Sequence, residues 1–412
     1  MITDLINFAV ILAFIASGFS RPHIALCLVL WVDLYKPQET SFSFLSGLPL
    51  SLISASFFFL SVAINFKKIS ARSYGPFISL TIALMFWVTY TTFNSPFAVA
   101  WIKYDTVIKT LLIVLMMPLV IDEKKKFEQV FDVIVITFSS FILAAGTKSL
   151  LGGGGYGIAL VGTGGLMWSE GSYLANQAVS FLPIYIYMYK HSSLFKVSKY
   201  AKYVPLFLCV CALATLVGTQ ARSGLVCLAV FLFLLLKTSK GRLALILVAL
   251  PAALVLPNLL PDDFKDRMAS IEQAKDGQES SAQGRIVVWR WTLDYVSENP
   301  LGGGFYAYLH NAGKLHEYAR GNEVVIQNKG GKAYHSIFFE LLAEHGYPGT
   351  VGYLSLLGLA YLRNRRTNTK LSVAMNQSML IYMAGGMFIN IAFYPYILYM
   401  IALSFALNKV QK

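Results

Sequence analysis

Charge is scarce in this sequence. Asp, Glu, Lys and Arg together make up 13% of the residues, about half the share found in an ordinary soluble domain, while 56% are hydrophobic and the mean hydropathy is +0.59. A soluble globular chain is thereby excluded. Cysteine is sparse too: all four, Cys27, Cys209, Cys211 and Cys227, lie inside apolar runs, so no disulfide framework is implied. Of the six histidines, His310 and His316 stand six residues apart in a loop with no cysteine, which argues against a zinc site. The glycine-rich Gly152–Gly157 and Gly162–Gly165 have no Lys-Ser/Thr ending and follow a helix instead of a strand. They read as a flexible outer loop and not as a phosphate cradle. The net charge of +13 comes from short scattered basic patches, which argues against a nucleic-acid partner.

Long apolar runs take the place of the missing charge. Runs near the length needed to cross about 30 Å of hydrocarbon cover residues 4–19, 22–35, 46–65, 76–92, 103–121, 127–148, 171–189, 203–219, 222–237 and 241–259. After a polar interval come 335–363, with a break expected at Gly346 and Pro348, then 373–393 and 395–408. Backbone groups must be paired within lipid, so the fold class expected is all-α, a polytopic bundle of about 12 transmembrane helices. The first run, Leu5–Phe19, lacks a basic leader and a small-residue cleavage site, and is read as a retained helix. Three regions follow: N-terminal helices over 1–260, a polar loop region with short amphipathic helices over 261–334, and C-terminal helices over 335–412.

Lysine and arginine cluster at 67–72, 124–126, 190–202, 237–242 and 363–370. In an alternating topology all of these fall on one side, which the positive-inside rule makes cytoplasmic. The long loop then faces outward. Its nine basic and ten acidic residues nearly cancel, so a cation held at its membrane end is a local feature.

Chemistry is expected where that loop meets the helix ends. Arg222 lies in the tight break Gly218-Thr-Gln-Ala-Arg-Ser-Gly224; it is either a snorkelling side chain or an anion ligand at membrane depth. Arg285 and Arg290 belong to a segment whose Ile286, Trp289, Leu293 and Val296 form one apolar helical face. Arg285 is expected to start that helix, beside free amides that favour an anion, and Arg290 to meet headgroups or solvent. His335 opens the next apolar run after Tyr334, and an imidazole with a pKa near 6.5 suits proton transfer at neutral pH. Glu344 and His345 are expected to cap the helix near Gly346. Asp262-Asp-Phe-Lys-Asp266 matches a magnesium-diphosphate pattern, but as a single acidic cluster it reads better as a helix start. Trp168, Trp289, Trp291, Tyr306 and Tyr308 are expected to stack on sugars or to form an interfacial belt.

Taken in order, these residues resemble the O-antigen ligase and polysaccharide polymerase superfamily. The likeness rests on Arg222 at an outer helix break, Arg285 with Trp289 in a Gly-Arg-x-x-x-Trp segment, and His335 followed by Glu344-His-Gly346. The chain is most similar to ligases of exosortase-associated type, through Arg21-Pro22, Asp33 to Lys36-Pro37, Pro300-Leu-Gly-Gly-Gly304 and Ala343-Glu-His-Gly346. The resemblance implies an inverting glycosyltransferase of GT-C type in the bacterial inner membrane with a periplasmic active site. It implies transfer of a glycan from undecaprenyl diphosphate to a lipid A-core acceptor, with Arg222 and Arg285 on the diphosphate, His335 as catalytic residue, and no metal or cofactor. Arg290, Trp289, Glu344 and Tyr334 are supporting candidates. The family's usual Asn after the histidine is Ser336 here. Two alternatives share the chemistry, a polysaccharide polymerase and a protein O-oligosaccharyl ligase. A lipid-linked glycan transporter is the alternative from another class; it calls for ionisable groups at mid-bilayer, with Lys109 as the main candidate.

Overall fold

The computed structural model of the chain describes residues 2–68, 75–155, 157–161, 167–237, 265, 280–320 and 330–410. Among the described residues all regular structure is helical. Three helices are long and apolar enough to cross a membrane, Gly75–Phe93, Lys124–Leu150 and Ala201–Thr219, and shorter apolar ones accompany them. The expected run at 241–259, Gly162–Gly165 and, apart from Lys265, the Asp262–Asp266 cluster lie outside the described residues.

Proline and left-handed residues set many of the helix limits. The helices α1 (Ile2–Gly18) and α2 (Pro22–Tyr35) meet at Arg21, and Pro22 occupies the first turn of α2, where a missing N–H costs nothing. Lys36, with φ 53°, ends α2 and precedes the short α3 (Pro37–Thr40). The chain continues through α4 (Leu50–Ile64), α5 (Gly75–Phe93), α6 (Ala100–Val120) and α7 (Lys124–Leu150). The run expected as one helix at 171–189 is two, α8 (Gly171–Ser180) and α9 (Leu182–His191), because Pro183 sits in the first turn of the second. Next come α10 (Val204–Thr219) and α11 (Arg222–Leu236), separated at Gln220, which has φ 51°. The remaining α-helices among the described residues are α12 (Ser280–Glu298), α13 (Ile337–Thr367), α14 (Lys370–Gly386) and α15 (Pro395–Val410). Pro395 therefore starts a helix and does not kink one.

Contacts among the described helices gather one set of ends together. Trp168 donates its indole N–H to Leu34 O at the end of α2 (3.1 Å), Gly171 lies against Thr219 at the end of α10, and Gly304 lies against Thr91 near the end of α5. Gly155 N–H donates to Gly218 O (3.0 Å), which ties this part of the glycine segment to the end of α10. The basic clusters that are described fall at the opposite helix ends.

The break expected in 335–363 is present. Gly346 has φ 62° and ψ −167° inside α13, and such a break leaves carbonyls without their helical partners. The Pro300–Gly304 loop supplies replacements: Gly303 N–H donates to Ala343 O (2.9 Å), Gly304 N–H to Glu344 O (2.8 Å), and Tyr347 N–H to Pro300 O (3.0 Å). Trp87 donates to His345 O (2.7 Å). The fit leaves no room for side chains, since a Cβ on Gly302 would sit 2.4 Å from Gly346 N, and one on Gly346 would sit 2.2 Å from Pro300 O. Both glycines also have positive φ, 89° and 62°. Gly302→Ala and Gly346→Ala are each expected to cost at least roughly 1–3 kcal/mol from backbone strain alone. The measurement is the melting temperature in detergent, with Gly358→Ala, where a Cβ meets open space, as the variant that melts no lower than the parent.

Candidate functional site

His335 is held from both sides. Its φ of 47° is left-handed, a conformation that a non-glycine residue keeps only when its surroundings impose it. Trp289 imposes it on one side, donating its indole N–H to Tyr334 O (2.8 Å) and stacking on Phe339 with centroids 4.9 Å apart. Asn390 imposes it on the other, accepting from Ser336 N–H through Oδ1 (3.1 Å). Ser336 is extended and directly precedes α13. Tyr334 itself is fully buried among Val287, Val288, Trp291 and Ala343, so it anchors the backbone that carries His335.

Arg285 and Trp289 are four residues apart on α12, and such a pair shares a helix face. While Trp289 fixes the backbone before His335, the charge of Arg285 acts on the His335 ring. Crowding by the surrounding protein, then Arg285, then Lys332, push the His335 pKa down to about 4. Lys332 is shifted the same way, by burial and then by Arg285. Its Nζ occupies the space beside Gly284, where a Cβ would lie 1.9 Å away. Among the described residues the charges acting on His335 and Lys332 are all positive. Neighbouring positive charge lowers the proton affinity of both Lys332 and His335.

Arg222 begins α11 at the same end of the bundle, half-buried. The end of α14 lies between it and His335: Gly385 packs on Cys227 of α11, and the next residue, Gly386, packs on Ile337 at the start of α13. Gly171 of α8 lies against Thr219, three residues before Arg222, and Tyr173 of α8 packs edge-on to Tyr394 (4.8 Å).

Tyr394 lines a cavity of about 490 Å³ whose walls include Lys103, Tyr306, Tyr308, Glu340, Glu344 and Asn390. At its floor Lys103 Nζ contacts Glu340 (2.7 Å) and Glu344 (2.8 Å). Those carboxylates also accept from the backbone, Glu344 from Tyr306 N–H (2.9 Å) and Glu340 from Ala392 N–H (3.0 Å). The ammonium group lies 5.0 Å from the ring centroid of Phe305. Lys109, the other lysine of α6, forms only an exposed i,i+4 pair with Asp105 (2.6 Å).

Two family models match the chain. Residues 2–193 match a family of unknown function (DUF5935), and residues 207–354 match the family described as O-Antigen ligase. Over the second region the chain is a member of the O-antigen ligase superfamily. No curated protein matches it. The O-antigen ligase region runs from α10 to the middle of α13, and so takes in Arg222, Arg285, Lys332 and His335. Ligase- or polymerase-type activity in a multi-pass membrane protein follows from that membership.

Several expectations for the O-antigen ligase motifs need correction. Arg285 does not start its helix: α12 is already helical at Ser280, so Arg285 lies in the second turn and free helix-start amides do not assist it. The inward face of α12 is Val287, Val288, Trp291 and Val296; of the expected face Val296 is buried and Trp289 half-buried, while Ile286 and Leu293 are exposed. Arg290 bonds to Tyr318 O (3.2 Å) and is half-buried, not turned wholly to solvent. Glu344 and His345 are not caps. Glu344 is tied to Lys103, and His345 Nδ1 shares a hydrogen bond with Thr91 Oγ1 (2.8 Å). Trp168 and Trp291 are buried, at 0% and 3% exposure, and so stack on no sugar, whereas Tyr306 and Tyr308 do face a cavity. Sequence reasoning missed Lys103, Lys332 and Asn390. A lysine in the first turn of an apolar helix was the signal for Lys103; the other two had none.

A pH test follows from His335. Its folded-state pKa lies below the unfolded value near 6.5, so the unfolded chain binds the extra proton, and this contribution to stability is lost as pH falls from about 6.5 to about 4. The melting temperature of His335→Gln is expected to fall less than that of the parent between pH 7 and pH 5. Parallel curves would discard the assigned environment.

Proposed function

We propose that the chain is an inverting glycosyltransferase of about twelve membrane helices that moves a glycan from undecaprenyl diphosphate to an acceptor hydroxyl at the outer face of the inner membrane. A lipid A-core sugar is the leading acceptor. The basic clusters at the opposite helix ends favour this orientation. One observation carries the reading: the charges of Arg285 and Lys332 both act on His335, the residue just before the extended Ser336 that leads into α13.

In the reaction, the acceptor oxygen attacks the anomeric carbon as the bond from that carbon to the diphosphate oxygen breaks. The electron pair leaves with the diphosphate, and the hydroxyl proton passes to His335. Arg222 and Arg285 bind the leaving group, where guanidinium forks match phosphate oxygens, and fixed cations stabilise charge as it develops. His335 is neutral at pH 7 and a weak base, first through burial and then through the nearby charges of Arg285 and Lys332. A bound diphosphate cancels their field and strengthens the base, so proton uptake becomes efficient only when donor is present.

Arg222→Ala, Arg285→Ala and His335→Ala are each expected to lower transfer at least 100-fold in proteoliposomes supplied with lipid-diphosphate glycan and acceptor, with membrane insertion unchanged. Parental transfer by all three would falsify the site. Transfer is expected to persist in EDTA; loss followed by rescue with magnesium would return attention to Asp262, Asp263 and Asp266. For the parent, the acid limb of kcat should lie at higher pH than that of kcat/KM, since the first reports the complex and the second the free protein.

A further inference from the structure

The cavity over Lys103 differs in charge from the cluster around His335. We propose that it is a saccharide subsite that takes an uncharged or amine-bearing sugar ring and rejects phosphorylated and acidic ones. The assignment deepens the glycosyltransferase reading and rests on it for the identity of the reaction, though not for binding. Three observations support it.

Charge comes first. Four carboxylates line the cavity, Asp33, Glu39, Glu340 and Glu344, against two ammonium groups, Lys36 and Lys103. Lys103 is already engaged by two of the carboxylates and Lys36 lies 3.6 Å from Asp33. A phosphate or uronate entering here meets a net negative wall at short range, whereas a sugar hydroxyl or ammonium group can donate to it.

Hydrogen-bonding capacity comes second. The side chains of Tyr306, Tyr308 and Tyr394 are half-buried in the walls, and among the described residues none of their hydroxyls has a hydrogen-bond partner. Rings carrying an unused hydroxyl suit a polyol, whose faces are apolar and whose rim is polar. About 490 Å³ also lies in the range of small-molecule pockets, ~300–1,000 Å³.

Position comes third. Asn390 forms part of the wall, and its Oδ1 holds the amide of Ser336, the residue after His335. A ring seated in the cavity therefore shares the Asn390 wall with the segment that carries the base, with its phosphate-free part against carboxylates and tyrosines. The diphosphate stays with Arg285 and Lys332, neither of which lines the cavity. The ring is that of the acceptor or the first sugar of the donor; both present the same chemistry.

The test uses the full chain purified in detergent and saturation-transfer NMR with four probes: methyl glucoside, glucosamine, glucuronate and glucose 6-phosphate. The first two are expected to give signals at least fivefold stronger than the last two. Tyr308→Phe combined with Tyr394→Phe keeps the ring packing on Tyr334 and Tyr173 and should weaken the signal at least threefold. The exposed Glu39→Gln should narrow the gap between methyl glucoside and glucuronate at least twofold, which gives a second readout if the double variant melts early. Equal signals from all four probes, or indifference to the variants, overturns the proposal. In proteoliposome transfer the double variant raises KM for acceptor if the ring is the acceptor's, and for donor if it is the donor's; no change in either overturns it. Arg285→Ala separates the two readings, because it should lose transfer and keep the glucoside signal. Transfer lost with no glucoside signal in the parent sinks the subsite alone, and transfer retained with the signal present sinks the reaction site alone.

Discussion

One half-buried cation organises one end of this protein. Lys103 reaches from the first turn of α6 to two carboxylates one turn apart on α13, and each carboxylate passes the connection on, to Tyr306 N–H and to Ala392 N–H. Four separate stretches of chain are thus fixed by one ammonium group. An apolar replacement of the whole group can be as stable as the ions or more so, because desolvation offsets much of the Coulomb attraction. What apolar contact lacks is direction: charge-assisted hydrogen bonds specify which atoms meet and at what angle. Here the atoms specified are the backbone ends that position Asn390 and Tyr306.

The break at Gly346 acts with this ion group. A continuous helix would keep the carbonyls of Ala343 and Glu344 for itself. Interrupting it offers them to Gly303 and Gly304, which docks the Pro300–Gly304 loop and, through it, the end of α12. Since Trp289 of α12 grips the carbonyl before His335, the same break leads back to the proposed catalytic ring. Two of the residues with left-handed backbone are held on both sides, His335 between Trp289 and Asn390, and Gly346 between the loop and Trp87.

Much of this was legible in the sequence, for identifiable reasons. Apolar runs gave most helices to within a few residues, since period and length survive without knowledge of partners. Pro22, the Gly346 break and Pro395 marked real boundaries because their effect is local. Arg285, Trp289 and His335 could be chosen because each stands at a polar-apolar boundary. The register of α12 could not: Ser280 to Gly284 is small and polar, with no apolar period to show that the helix has already begun. The Lys103 group was invisible because 237 residues separate it from Glu340, and a lysine in an apolar run reads the same whether it pairs or snorkels. Lys332 looked like part of a flexible glycine-lysine stretch, and only folding sets it beside Gly284 and Arg285.

Separating the two kinds of charge addresses a difficulty particular to lipid-diphosphate chemistry. A site positive throughout would bind the leaving group but would hold His335 protonated only with difficulty and would attract anionic sugars without selection. A site negative throughout would repel the donor. Cations lie on the α12 side and carboxylates on the α6–α13 side, and Asn390 connects the two by lining the cavity and holding Ser336 N–H. Across that connection lies the bond to be broken in the proposed reaction: diphosphate on the cationic side, sugar carbon on the other, and the imidazole between them. Such an arrangement lowers the energy of charge moving in one direction only, toward the diphosphate, which is the direction that inverting displacement requires.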